Sequence, residues 1–269
     1  MPHTMTVDDN KPNNRDPLMI LSVDKAFRIL LAFDAKMPTA GLTQLAERTG
    51  LDRSAVQRFV HTLTSLGYLR RDRRTRQFAL GVRTLDISYR YTTTDPLITL
   101  ARPYLRHLQK VTGETVNLSV LDGNEVVYIA RFEGQHVLNI EVGIGSRRPV
   151  YCSGPGIAML SALPVVEASA LLDRCDLRPI TAATVWRKDK LMEKIAMTAR
   201  RGYATAFEEI HHGDLSIAAP IKDSTGRLLG AINVAALRSR IEPEQMEQTF
   251  APTMLDVALS ISHGSSAFG

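Results

Sequence analysis

Gly113 separates two regimes of hydrophobic pattern. Before it, apolar residues recur at helical spacing; after it they alternate with polar ones and are rich in β-branched types. A segment patterned on a period of 3.6 does not settle as a strand, nor one of period 2 as a helix. The chain is thereby confined to a helical first part and a sheet-containing second part. Its 269 residues give room for two modest domains, and 44% apolar content is enough for packed cores.

From Ser22, a plausible cap, Val23, Ala26, Phe27, Leu30 and Leu31 form one stripe of an amphipathic helix, which Met37-Pro38 is expected to stop. "LTQLAERTG" predicts a second short helix with Leu42, Leu45 and Ala46 inward and Gly50 just past its end. "LDRSAVQRFVHTLTSLG" predicts a third, capped by Asp52, running to Gly67 and burying Val56, Phe59, Val60, Leu63 and Leu66. Its other face carries Arg53, Ser54, Gln57, Arg58 and His61. Two helices with a tight connection, the second bearing donors outward, are what a helix-turn-helix reader of duplex DNA requires, since Arg matches guanine and Gln matches adenine in the major groove. His61, near the middle of its helix, reads as surface filler.

Directly afterwards comes "YLRRDRRTRQFAL", with five arginines between Arg70 and Arg76. Tyr68 to Arg71 and Gln77 to Leu80 read as short strands around a turn, and a hairpin at this place is a wing. Arg73, Arg74 and Arg76 would then meet the DNA backbone or minor groove. Charge agrees: residues 1–95 hold 15 Lys and Arg against 10 Asp and Glu, the remainder 18 against 18, so the whole +5 lies in the first third. A solvated hairpin is the bland alternative, but helix order, donor face and charge together favour DNA.

"LSVDKAFRILLAF", "GLTQLAERTGLDRSAVQRFVHTLTSLGYL" and "RQFALGVRTLDIS" resemble the winged-helix half of the IclR-type bacterial transcription regulators, and the likeness continues almost to the C-terminus. The resemblance implies a mixed α/β, two-domain chain: an N-terminal winged helix-turn-helix, linker helices that help form a dimer, and a C-terminal α+β, GAF-like sensor of a small effector. The expected division is a disordered arm at 1–17, the DNA-binding domain at 18–80, linker helices at 81–112 and the effector domain at 113–265.

"GVRTLDISYRY" and "DPLITLARPYLRHLQKV" read as the two linker helices, broken at Thr92 to Thr94, with Pro96 in the first turn of the second. "TVNLSVL" and "EVVYIARF" read as strands joined by a turn at Asp122-Gly123-Asn124. "HVLNIEVGI", "DLSIAAPIKD" and "RLLGAINVAAL" are expected to continue the sheet. Helices are expected around Gly156 to Leu163, Val165 to Arg174, Asp189 to Arg201 and Glu244 to Ser262.

The stretch "GSRRPVYCSGPGIAMLSALP" resembles the family segment that turns from a sheet edge into a helix and lines the effector pocket. Cys152, Ser153, Gly154 and Pro155 would offer backbone N–H groups and a hydroxyl at a helix start, suited to a carboxylate. By the same resemblance Ala206, Ser216, Asn233 and Ala235 take pocket positions, where the family often has an acid, a cysteine and two serines. Arg148 departs from a commonly apolar family position. It offers a guanidinium to an acidic effector, or it is a surface arginine snorkelling from a strand end.

Catalysis and cofactors find no support. His211-His212 are adjacent and so do not share an ion readily. Ser153-Gly154-Pro155-Gly156 lacks the order of a nucleophile elbow, "GIGS" is too weak a phosphate loop, and Glu208-Glu209 reads as a solvated pair. Cys152 and Cys175 suit neither a disulfide framework nor a zinc site. No apolar run has the length of a membrane span, and the N-terminus lacks a signal-peptide core. The expectation is a cytoplasmic, non-enzymatic, cofactor-free homodimer or dimer of dimers. Its partners are operator DNA and a small acid, aromatic or dicarboxylic by resemblance to the branch controlling aromatic-acid breakdown. The rivals are a constitutive architectural DNA binder and, in another class, an enzyme with a DNA-targeting module.

Overall fold

The computed structural model describes residues 17–135 and 142–265, so the N-terminal arm, but for Pro17, and the first six residues of "HVLNIEVGI" lie outside the described residues. The chain divides after Tyr91 into two compact units.

The first unit contains α1 (Leu21–Leu30), α2 (Leu42–Thr49), α3 (Arg53–Ser65) and an antiparallel hairpin of β1 (Leu69–Arg71) and β2 (Phe78–Leu80). Ile29, Leu45, Val56, Val60, Leu63, Leu69 and Phe78 form its core. Gly50 ends α2 at φ 65°, and the Asp52 carboxylate accepts from the Ala55 N–H at 2.8 Å to start α3.

Three expectations need correction here. The helix α1 has Ile20, not Ser22, at its cap and ends at Leu30, well before Pro38. Asp34 is the reason: its carboxylate accepts from the N–H groups of Lys36 and Met37 at 2.9 and 2.8 Å, closing a turn that competes with further helix. The stripe of Val23, Phe27 and Leu31 faces outward and is exposed, while Ile29 and Ala32 are the buried positions. This helix has two apolar stripes, and spacing alone does not say which one the core takes. Leu66 is exposed because it lies just past the last turn of α3.

Past the hairpin, α4 (Thr84–Thr94) and α5 (Pro96–Thr112) are separated only by Asp95. Thr92 to Thr94 continue α4 rather than break it. The break comes from Asp95, whose carboxylate caps the Ile98 N–H at 2.9 Å, with Pro96 in the first turn.

The second unit is built on a six-stranded antiparallel sheet in the order β5-β4-β3-β8-β7-β6, comprising β3 (Thr115–Asp122), β4 (Glu125–Phe132), β5 (Arg147–Pro149), β6 (Ala204–Phe207), β7 (Asp214–Lys222) and β8 (Leu228–Leu237). The strands β5 and β6 are only 3 and 4 residues long, too short for alternation to register; the sheet edge and strand end expected around Arg148 correspond to β5. No strand covers Val142 to Ile144. Val116, Leu118, Leu215, Ile217, Ile232 and Val234 line one face, packed with α5 and with α9 (Pro243–Gly264). On the other face lie α6 (Gly154–Ser161), α7 (Val165–Asp173) and α8 (Lys188–Arg201), over small and polar residues of the sheet. Strands with helices set to the two sides make an α+β domain beside a winged helix-turn-helix, the fold class expected.

Candidate functional sites: a DNA groove and a buried recess

In the first unit, the outer face of α3, the start of α2 and the hairpin enclose a groove. Arg53, Ser54, Gln57, Arg58 and Arg76 line it, together with Thr43, Gln44, His61, Thr64, Arg71, Thr75 and Gln77. Arg73 and Arg74 are exposed in the turn and are not among the lining residues. Asp72 holds that turn: its carboxylate accepts from the N–H groups of Arg74 and Thr75 at 2.8 and 2.7 Å. Arg76 adopts φ 58°, a left-handed conformation uncommon for a side chain of this size. Thr39 Oγ1 donates to Gln77 at 2.7 Å, and an Ala40–Phe78 bridge ties the hairpin to the helical body. The groove therefore has a framed floor under exposed cationic and amide side chains. Sequence spacing had no means of finding Thr43 and Gln44, because they come from a different helix. His61, read as filler, does border the groove.

In the second unit, a small recess of about 40 Å³, partly open to solvent, lies between the polar face of the sheet and the start of α6. Cys152, Ser153, Gly154, Ala206, Ser216, Asn233 and Ala235 line it, joined by Asn117, Tyr128, Arg131, Val142, Glu209, Ile210 and Asp214. Arg148 and Pro155 are not lining residues. Strand register explains the gathering. Arg131 pairs with Asn117 and Asn117 with Asn233; two residues along β8, Ala235 pairs with Ser216 and Ser216 with Ala206, so two neighbouring rows on a single face together cross four strand boundaries. Side chains connect the row: Arg131 Nη1 donates to Asn117 Oδ1 at 3.2 Å, Asn117 Nδ2 to Asn233 Oδ1 at 3.3 Å, and Asn233 Nδ2 to Ser216 Oγ at 3.2 Å.

Arg131 reaches this face through a bulge. Its strand partners run Leu118 with Ala130 and then Ser119 with Tyr128, which leaves Ile129 unpaired and reverses the alternation. Ile129 and Ala130 both enter the apolar core, and Tyr128 and Arg131, three residues apart, both line the recess.

At the opposite wall, α6 approaches the sheet closely. A Cβ on Gly154 would stand 2.7 Å from Ser216 Oγ, and one on Gly156 would stand 2.1 Å from the Val150 carbonyl. The Ser153 hydroxyl is committed to structure: it donates to the Pro149 carbonyl at 3.0 Å and accepts from the Gly156 N–H at 3.3 Å. Burial pushes the Cys152 thiol up to about 12, so it is neutral rather than a thiolate.

Charge within the recess is unevenly compensated. Contrary to the solvated reading, Glu209 is buried; it accepts a charged hydrogen bond from Lys194 and another from the Val185 N–H at 3.2 Å. Burial raises its carboxyl above the usual range while Lys194 opposes the rise. Glu208 instead pairs with Arg238 and is held below the usual range, chiefly by the Gly213 N–H. Burial also pushes Asp214 up to about 6, with Arg148 acting against it. Arg148 itself is half-buried and donates to the Arg147 carbonyl at 3.1 Å. Among the described residues no three His, Cys, Asp or Glu side chains gather as a metal site, and no helix is long and apolar enough to cross a membrane.

Known proteins share this layout. The IclR helix-turn-helix domain profile matches residues 22–73, and the profile of the bacterial transcriptional regulator IclR C-terminal domain matches residues 89–263. The Pca regulon regulatory protein of Pseudomonas putida is 30% identical over 249 residues, covering 92% of this chain and 85% of that protein. The p-hydroxybenzoate hydroxylase transcriptional activator of Acinetobacter baylyi is 28% identical, with 89% of each chain covered. Among solved structures, a putative transcriptional regulator from Rhodococcus sp. RHA1 superposes with a TM-score of 0.83 at 27% identity, over 93% of this chain and 100% of that one. An IclR homologue from Microbacterium hydrocarbonoxydans, solved with 4-hydroxybenzoate, shares the fold with a TM-score of 0.76 at 22% identity, over 92% of this chain and 100% of that one. A winged helix carrying a donor-lined groove, followed by a sensor domain with a polar recess, both matched by family profiles, places this chain in the IclR family of transcriptional regulators, which bind DNA and respond to small-molecule effectors.

Proposed function

We propose that α3 enters the major groove of an operator, with Arg53, Ser54, Gln57 and Arg58 meeting base edges or flanking phosphates. The hairpin arginines Arg73, Arg74 and Arg76 supply backbone contacts. The lined groove is the observation that supports this reading, because α3 donors and hairpin cations border one cleft. The domain division is read as DNA binding over 18–80, linker helices over 81–112 and effector binding over 113–265. Two copies act together. In the single chain Val23, Phe27 and Leu31 of α1 and Val82, Leu85, Ile87 and Tyr89 at and near the start of α4 are exposed, more apolar surface than a monomer ordinarily leaves in contact with water.

The effector is a small acid, aromatic by analogy with relatives named for aromatic-acid regulons, held in the polar recess that includes Cys152, Ser153, Gly154, Ala206, Ser216, Asn233 and Ala235. It acts by linkage, binding two dimer arrangements unequally and so shifting operator affinity. The chain is read as non-catalytic and as working in the cytoplasm: the Ser153 hydroxyl is engaged as a cap and the Cys152 thiol is protonated, which leaves no activated nucleophile at this wall.

Selection of bound duplexes from random DNA with the full chain, then anisotropy titration with and without small acids, tests the whole reading. An enriched two-fold motif whose affinity shifts with an acid is expected. Enrichment with no shift by any acid would favour the architectural reading, and no enrichment would remove the operator from the picture.

A further inference from the structure

Ser54 is the second residue of α3 and is exposed where that helix borders the DNA groove. Its hydroxyl stands 2.8 Å from Asp52 Oδ1, the same oxygen that accepts the Ala55 N–H and starts the helix. Chemistry fixes the direction of that bond. The Asp52 carboxyl is held below its ordinary range, first by the Ala55 N–H and then by the Ser54 hydroxyl, so at neutral pH it is ionised and has no proton to give. Ser54 is therefore the donor. Its single proton is spent inside the protein, and only lone pairs are left for a partner in the groove.

We propose that Ser54 is a specificity-determining residue that accepts a hydrogen bond from the N4 amino group of a cytosine in the operator. This deepens the operator reading above and rests on it. A serine ordinarily reads any base, because its hydroxyl rotates to give or to take a proton. Here the helix cap removes that freedom. With no proton to give, Ser54 has nothing to offer a phosphate oxygen, the O6 and N7 of guanine or the O4 of thymine, all of which are acceptors. Amino groups remain, N4 of cytosine and N6 of adenine.

Cytosine fits better than adenine because its edge in the major groove carries a donor alone, whereas adenine sets the N7 acceptor beside N6. An acceptor-only hydroxyl next to a carboxylate meets that N7 unfavourably. The bond to Asp52 also strengthens Ser54 as an acceptor, since an oxygen whose proton is drawn toward a negative charge holds its lone pairs more richly. The guanine opposite such a cytosine offers O6 and N7, and Arg53 and Arg58 lie on the same helix along the groove to meet them.

The test is anisotropy titration of the full-length protein on the operator recovered from random DNA. Each half-site position is changed in turn to the other three base pairs, and each cytosine also to 2-pyrimidinone, which lacks only the N4 amino group. At one cytosine per half-site, loss of the amino group should weaken the wild type about tenfold. Ser54→Ala should be indifferent to that change while keeping its discrimination elsewhere. Asp52→Gly retains a tolerated cap residue and frees the hydroxyl to donate, so cytosine and uracil should bind there within about twofold of each other. Melting of each variant checks that it folds, and Ser54→Ala with the wild-type series decides the matter if Asp52→Gly does not. A tenfold loss that persists in Ser54→Ala would overturn the role of Ser54. A Ser54-dependent preference for guanine or thymine would overturn the acceptor, and one for adenine the choice of cytosine. If selection recovers no operator, this inference falls together with the operator reading; if it recovers one in which no position depends on Ser54, this inference falls alone.

Discussion

Asn117 and Asn233 face each other across β3 and β8, one amide donating to the other at 3.3 Å, and the second passes the bond on to Ser216 at 3.2 Å. This chain of neutral groups is what allows a polar floor inside a packed domain, because each member satisfies the next. Asn233→Ala leaves Asn117 and Ser216 each short of a partner. A loss of about 1–3 kcal/mol in urea unfolding is expected. No change in midpoint would mean that water replaces the amide at no cost.

Lys194 and Glu209 form a buried ion pair, with side chains 11% and 6% exposed. Removing one partner strands the other charge, so Lys194→Met should cost about 3–5 kcal/mol. Lys194→Met with Glu209→Leu should recover most of that loss. A double variant no better than the single one would show that the pair is not where the cost arises.

Asp214 carries the opposite liability. Its carboxyl titrates near 6 in the fold against an ordinary 3.8, chiefly through burial, with Arg148 opposing the rise. The folded state therefore binds more protons between those values, and this group makes stability fall as pH rises from about 4 to 6. Asp214→Asn should be more stable than wild type at pH 7, by at most about 3 kcal/mol, and equal to it below pH 4. Denaturant midpoints at pH 3.5, 5 and 7 check this; a difference independent of pH would contradict it.

In the DNA groove, Arg58 lines the cleft on α3 while Arg73 and Arg74 project from the hairpin turn. Arg58→Ala should relax sequence choice at a cost of about 1–3 kcal/mol on the preferred site. Arg73→Ala and Arg74→Ala should weaken specific and random DNA alike and flatten the salt dependence by about one ion each. Equal losses on both kinds of DNA for all three variants would dissolve the division of labour.

Phe27 is half exposed on α1 although it is a large aromatic. If two copies cover this face, Phe27→Glu should shift sedimentation toward the monomer while leaving the isolated fold intact, since Ile29 and Ala32 hold the core. An unchanged sedimentation coefficient would move the self-association surface elsewhere.

How much was legible follows from the range of the interactions involved. Asp52 and Gly50 bounded their helices, the Asp122-Gly123-Asn124 turn joined its strands, and the arginine-rich hairpin was plain, because each depends on residues a few positions apart. Ser216 and Asn233 were placed in the recess only through family resemblance. The outward turn of Phe27 was not legible, since α1 offers two apolar stripes and only its neighbours choose between them. Arg131 was hidden for a sharper reason. Strict alternation sends it to the face away from Tyr128, and the bulge at Ile129, set by how β4 packs on β3, reverses that. Asp214 gave no sign either, because a strand-end acid is ordinarily solvated, whereas this one lines the recess and is desolvated there. Local chemistry therefore determined the helices, the turns and the cationic hairpin from the amino-acid order alone. Strand register and burial, which depend on residues up to 120 positions apart, decided which polar groups meet in the recess and which of them are left without a hydrogen-bond partner.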